Sequence, residues 1–223
     1  MDYEVIFSRR KRLSLSVLPG GNLVVRAPLR TRQAVIAQFV NDNRDWIAKA
    51  RQKMSQLPPP PEPLRFTEGA EIPYLGRRFP LRFACKVPGG LRFAASAFFE
   101  MQTNQAKRGE ALLERFYREE TRCLAGQMIA RYAPRWQLQP KQVRVSSAQR
   151  RWGSCSAKGV VNFSYRLAML PLDCIEYVVV HELAHLRHHN HSASFWALVA
   201  EMMPSFKERQ EKIKKIAPTL PAF

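Results

Sequence analysis

A chain of 223 residues with 46% hydrophobic residues has enough apolar material for a proper core, which excludes a disordered protein. No apolar stretch reaches the roughly 18 residues of a membrane helix, and MDYEVIFSRRKR carries charge where a secretory signal has its apolar centre, so a cytoplasmic protein without a membrane span is expected. The net charge of +18 points to polyanions as partners, whether nucleic acid bound through a basic surface, nucleotides or an acidic protein.

In chain order, residues 3–28 alternate apolar and polar at Val5, Phe7, Leu13, Leu15, Val17, Leu23 and Val25. With Pro19-Gly20-Gly21-Asn22 as punctuation, this predicts a β-hairpin or meander. Arg9-Arg10-Lys11-Arg12 falls between its first two strands. Thr31 suits the N-cap of a helix running to about Gln56, with Val35, Phe39, Trp46, Ile47, Ala50 and Met54 turned inward. Five prolines between 57 and 63 then make a stiff connector. The expected division is therefore 1–63, an N-terminal β-hairpin, helix and Pro-rich connector, and 64–223, the core.

Residues 64–101 read as short strands, with turns at Gly69, Pro73, Gly76, Pro80 and Pro88-Gly89-Gly90. From Gln105 to Ala133 the apolar spacing is that of one long helix, which Pro134 is expected to close. Val143 to Ala148 reads as a strand and Val160 to Leu167 as a second, a hairpin leading through Pro171 into the next helix. Phe195, Trp196, Val199 and Met203 form a further helix face, and Ser205-x-x-Glu208 reads as a capping box for a last helix to about Ile216. KERQEKIKK in that helix reads as a solvated face. The four cysteines are scattered without a C-x-x-C pair, which argues for reduced thiols and against both a disulfide framework and a cysteine metal site.

The chemistry concentrates in IEYVVVHELAHLRHHNHSASFW. His181 and His185 are four apart on a helix, so both rings can reach one metal ion, and Glu182 stands beside it to take a proton from a metal-activated water. A catalytic zinc has three protein ligands, and His188, His189, His191 and Glu201 are the candidates for the third. His189 lies eight residues of helix, about 12 Å, beyond His181, too far for bonds of about 2 Å. His191 serves if the helix stops near His189 and turns back at Asn190, and Glu201 from the next helix is the rival.

RWGSC at Arg151 to Cys155, HELAH, and N-H-x-x-x-F-W from Asn190 to Trp196 resemble the YgjP-like family of predicted zinc-dependent hydrolases, related to the SprT-like and WLM metallopeptidases. The resemblance extends to LSLSVLPGGNLVVRAP and Trp46-Ile47, and so covers nearly the whole chain. It implies zinc as cofactor, His181, His185 and His191 as ligands, and Glu182 as base. The metzincin pattern has a glycine where this chain has His188, so its turn must be made differently.

The expectation is an α+β fold with a zincin-like core. By analogy with zincins, the hairpin before the metal helix is the edge that holds extended substrate. Arg151 and Arg166 are candidates for stabilising an anionic transition state, and Trp152 and Ser154 are candidates for substrate contact. Residues 105–170 carry 13 Lys or Arg against 4 acids, whereas 171–223 carry six of each. A zinc metallopeptidase is the first reading. A nucleotide phosphohydrolase is the alternative, and a nucleic-acid-associated module braced by structural zinc is the third.

Overall fold

The computed structural model describes residues 2–18, 20–55 and 62–221, so Pro19 and the prolines at 58–61 of the expected connector lie outside the described residues. The chain forms two compact units, Met1–Pro61 and Glu62–Phe223. No helix among the described residues is long and apolar enough to cross a membrane.

In the first unit, β1 (Glu4–Ser8), β2 (Ser14–Val17) and β3 (Leu23–Pro28) form a sheet in the order β1-β3-β2. β2 and β3 make the expected hairpin across Gly20 and Gly21, both at positive φ, with the Leu18 N–H donating to the Asn22 carbonyl at 2.8 Å. β1, however, pairs with β3 in parallel, so the chain is not a meander, and the basic run 9–12 carries it to the other edge of β3. Val5, Leu13, Leu15, Val17, Leu23 and Val25 pack together as their alternation predicts, while Phe7 at the end of β1 stays 45% exposed.

The expected single helix is two, α1 (Gln33–Asp42) and α2 (Arg44–Ser55). Asn43 breaks it, its side-chain amide donating to the Phe39 carbonyl at 2.7 Å in competition with the backbone. Thr31 does not cap: its hydroxyl donates to the Pro28 carbonyl, and Arg32 takes the cap position. Ile36, Val40 and Ile47 are the buried residues, whereas Val35 and Trp46, expected inside, are exposed.

The second unit opens with β4 (Glu71–Tyr74), β5 (Arg77–Ala84), β6 (Leu91–Ala94) and β7 (Phe98–Gln102), ordered β4-β5-β7-β6. Pro73 and Pro80 lie within strands rather than at turns, opposite Arg78 and Glu71. The β4–β5 turn at Leu75-Gly76 donates to the carbonyls of Ala168 and Met169, and a Cβ on Gly76 would fall 2.5 Å from the Pro171 ring. That turn pins the chain where it enters the helix carrying the HELAH motif.

α3 (Gly109–Trp136) buries Leu112, Leu113, Tyr117, Ala125 and Ile129. It runs through Pro134, which forfeits a single N–H in the last turn, and ends at Gln137 in the left-handed conformation.

β8 (Gln142–Ser146), β9 (Gly153–Cys155) and β10 (Val160–Ser164) form the third sheet in the order β8-β10-β9. β8 and β10 are parallel, so the expected hairpin between them is corrected: the RWGSC segment supplies β9, which pairs antiparallel with β10 across Gly159. β10 stops at Ser164, whose hydroxyl accepts the Arg166 N–H and opens a 3-10 turn over Tyr165–Met169. Each sheet repeats one arrangement: the first strand of a trio runs parallel to the third, and the second pairs antiparallel on the third's other side.

Three helices follow: α4 (Leu172–Ala184), α5 (Ala193–Met202) and α6 (Phe206–Ile216). Ile175, Val179 and Leu183 are the buried face of α4. Asp173 in its first turn accepts both carboxylate bonds, at 2.9 Å, from Lys212, docking α6 alongside. The Ser205 hydroxyl makes no cap, and Ile213 of the expected solvated face is buried. The fold is mixed α+β.

Candidate metal centre

α4 ends at Ala184, five residues before the expected stop, with His185 at the C-cap and the His188 N–H making the last helical bond to the Ala184 carbonyl at 3.0 Å. The chain then reverses and α5 begins at once. The Ser192 hydroxyl accepts the Phe195 N–H, so His191 is the residue immediately before a capped helix, and its backbone is fixed there.

This reversal brings the ligating atoms of His181, His185 and His191 within 4.8 Å of one another. Nε2 of His181 and Nε2 of His191 are 3.1 Å apart. Two ligands at a tetrahedral angle on zinc, with bonds of about 2.0–2.1 Å, stand about 3.3 Å apart, so the spacing suits such an ion. Nδ1 of His185 lies 2.9 Å from the His188 carbonyl, a contact that requires the proton on Nδ1 and leaves Nε2 free to ligate. The Tyr177 hydroxyl lies 3.5 Å from Nδ1 of His181. Phe195 floors the cluster, its ring 4.9, 4.5 and 4.9 Å from the rings of His181, His185 and His191, and Trp196 stacks on His191.

Burial, with the neighbouring imidazoles, lowers the His181 pKa to about 3, and burial lowers that of His185. Neutral imidazole is the ligating form. Glu182 is 5% exposed, and its Oε2 has no hydrogen-bond partner. Burial pushes its carboxyl up to about 8 against the opposing pull of Arg151. A buried carboxyl oxygen without a partner, beside three converging imidazoles, is what a bound cation would balance. The donor set therefore fits a divalent metal.

β9 comes unusually close to this carboxyl: a Cβ on Gly153 would lie 2.6 Å from both Cγ and Oε1 of Glu182. Gly153 is thus a matter of clearance as well as of chain path. Beside it opens a cavity of 390 Å³, walled by Trp152, Tyr177, Val178 and Ile213, with Gln210 and Lys214 from α6.

Of the expected contact residues, Trp152 lines this cavity, and Arg151 and Ser154 line a separate groove. Arg166 does not reach either. It is buried, its guanidinium donating to the carbonyls of Gln149, Leu220 and Pro221 and standing 5.4 Å over the Trp152 ring. Burial and then the Glu182 charge push the Cys155 thiol up to about 11. His188, His189, Glu201 and Cys155 are not in the ligand group. Tyr177, four residues before His181 on one helix face, and α6 are contributors that the sequence reading missed.

A family model described as YgjP-like, metallopeptidase domain, matches residues 11–216. No curated protein matches the chain. Among solved structures, that of the metallopeptidase zymogen of Pyrococcus abyssi abylysin aligns at 24% identity, over 45% of this chain and 90% of that one, with a TM-score of 0.32. The family match runs from the first basic cluster to the end of α6 and takes in the three imidazoles, Glu182 and β9. On that match the chain belongs to the YgjP-like family of metallopeptidase domains, which makes it a metal-dependent hydrolase by family.

Proposed function

We propose that the protein is a zinc-dependent peptidase with a zincin-like core, in which His181, His185 and His191 hold the metal and Glu182 is the general base. The observation that carries this reading is the buried Glu182 carboxyl, its Oε2 without a hydrogen-bond partner, beside three converging imidazoles. Three ligand residues, with no fourth His, Cys, Asp or Glu in the group among the described residues, suit a catalytic site with a place left open. When bound, zinc supplies a Lewis acid that polarises the scissile carbonyl and acidifies water. Glu182 takes the proton of the attacking water and passes it to the leaving amine, a role favoured by a carboxyl kept basic through burial.

Substrate reaches Glu182 along β9. Ser156 with Val160 and Trp152 with Ser164 are hydrogen-bonded pairs, so the intervening Gly153 and Cys155 turn their N–H and C=O groups away from β10. An extended peptide laid on that free edge pairs with those groups and passes beside Glu182, sending a side chain into the apolar cavity. The test is Glu182→Gln assayed on a peptide library with zinc content measured in parallel. Zinc retained at one per chain and cleavage reduced on the order of a thousand-fold or more is expected. Full peptide turnover by Glu182→Gln overturns the assignment of the base. Phosphate release from nucleoside triphosphates by wild type alone, with no peptide cut, overturns the peptide substrate.

A further inference from the structure

The two faces of β9 are chemically unlike. Gly153 faces Glu182, so Ser154 faces away from it. Ser154 is in register with Asn162 of β10, and Asn162 with Arg144 of β8, which makes one polar row across the sheet. Asn162 donates to the Ser146 hydroxyl at 2.9 Å, and the Arg144 guanidinium donates to the Gln142 side chain at 2.8 Å. The row floors an open groove of 630 Å³ whose polar lining is Arg144, Arg151, Ser146, Ser154, Ser156 and Asn162. No Asp or Glu lines the groove, and among the described residues neither arginine is in an ion pair.

Side chains of an extended peptide alternate between faces. A substrate paired to β9 therefore sends alternate side chains toward Glu182 and the apolar cavity, and the intervening ones toward the groove. We propose that this groove selects a carboxylate on the substrate, so that the enzyme prefers peptide segments with Asp or Glu next to the scissile bond. The proposal rests on the peptidase reading above. Charge complementarity carries it: two guanidiniums, neither within ion-pair distance of a carboxylate among the described residues and Arg151 acting on Glu182 only from farther off, are framed by hydroxyl and amide donors and match a carboxylate in charge and in fork geometry. The groove has no Phe, Tyr or Trp on which a base would stack, which favours an acidic peptide over a nucleic-acid strand.

The test uses two fluorogenic peptides of one scaffold, with Glu or its isostere Gln at the positions flanking the cleaved bond. The zinc-loaded full chain should cleave the Glu peptide with a kcat/KM higher on the order of ten-fold, mostly through KM, and the ratio should shrink as salt rises. Arg144→Glu, at an exposed strand position, should bring the ratio to one or invert it, and Arg144→Lys should keep part of it. A ratio of one in the wild type, or an undiminished ratio in Arg144→Glu, overturns the proposal. If neither peptide is cut, which is the failure of the peptidase reading, equilibrium binding to Glu182→Gln by fluorescence anisotropy decides. A Glu-over-Gln preference that Arg144→Glu abolishes supports the groove, and equal binding overturns it. A single-stranded oligonucleotide that binds more tightly than the Glu peptide, and loses that binding in Arg144→Glu, also overturns it by giving the groove to nucleic acid.

Discussion

Gly153 and Glu182 stand so close across the β9–α4 interface that one added methyl carbon would lie 2.6 Å from Oε1. Something must shift in Gly153→Ala, and either the Glu182 carboxyl moves or β9 retreats. Peptide kcat is expected to fall on the order of a hundred-fold, the penalty of misplacing a catalytic group by about 1 Å. Zinc content should be unchanged, because the three atoms nearest the added carbon all belong to Glu182 and none to an imidazole. Steady-state kinetics with metal analysis checks this, and a wild-type kcat would mean that the clearance is dispensable.

The Ser192 cap holds the helix start that fixes His191. Ser192→Ala should lower unfolding stability by about 1 kcal/mol, the usual cost of a lost N-cap. It should also weaken zinc in competition with a chelator, because the backbone of His191, the third converging imidazole, loosens. Ser192→Asp should restore both. Denaturant melts and chelator titrations read the two effects separately.

Phe195 is fully buried beneath all three imidazoles. Phe195→Ala should cost about 3–5 kcal/mol in denaturant unfolding, the range for emptying an aromatic core site. Phe195→Leu should recover most of that stability yet still bind zinc less tightly, since Leu cannot stack on His185. Equal zinc affinity in Phe195→Leu and wild type would show that the floor acts by volume alone.

Metal-free protein should show a stability plateau between about pH 4.5 and 6.5 from this pair of groups. The Glu182 carboxyl is raised from 4.5 to about 8 by burial, so the folded state holds its proton longer than the unfolded chain, and stability falls as pH rises through that interval. His181 is lowered from 6.5 to about 3, first by burial, so the unfolded chain takes up the proton first, and stability falls as pH drops from 6.5 toward 3. Between 4.5 and 6.5 the two slopes oppose each other; outside it one acts alone, at about 1.4 kcal/mol per pH unit for one proton. Zinc should remove the alkaline decline, because a divalent cation beside Glu182 favours its charged form. Melts of apo and zinc-loaded protein across pH 3–9 check it.

The converging imidazoles were legible in the sequence because their spacing is local: a helical period sets His181 over His185, and a helix stop with a reversal brings back His191. The stop itself was misplaced, since Asn190 looked like the terminator while α4 ends at Ala184. Sheet order was not legible. Alternating strands announce themselves, but partnership is decided between residues far apart, and parallel pairing of β8 with β10 leaves no local mark that separates it from a hairpin. The clearance role of Gly153 was hidden for the same reason, its close neighbour being 29 positions away. Arg166 was read as an anion binder because nothing in sequence tells a cation held by backbone carbonyls from one facing a ligand.

All five histidines of the chain fall between positions 181 and 191, on a single reversal. A chelating segment so short survives unfolding as a loose claw, and the denatured chain will hold zinc appreciably. Ligand binding stabilises a fold only by the difference in affinity between folded and unfolded states. The rise in Tm on saturation with zinc will therefore fall short of what the folded protein's Kd implies, and loss of activity on heating will precede release of the metal.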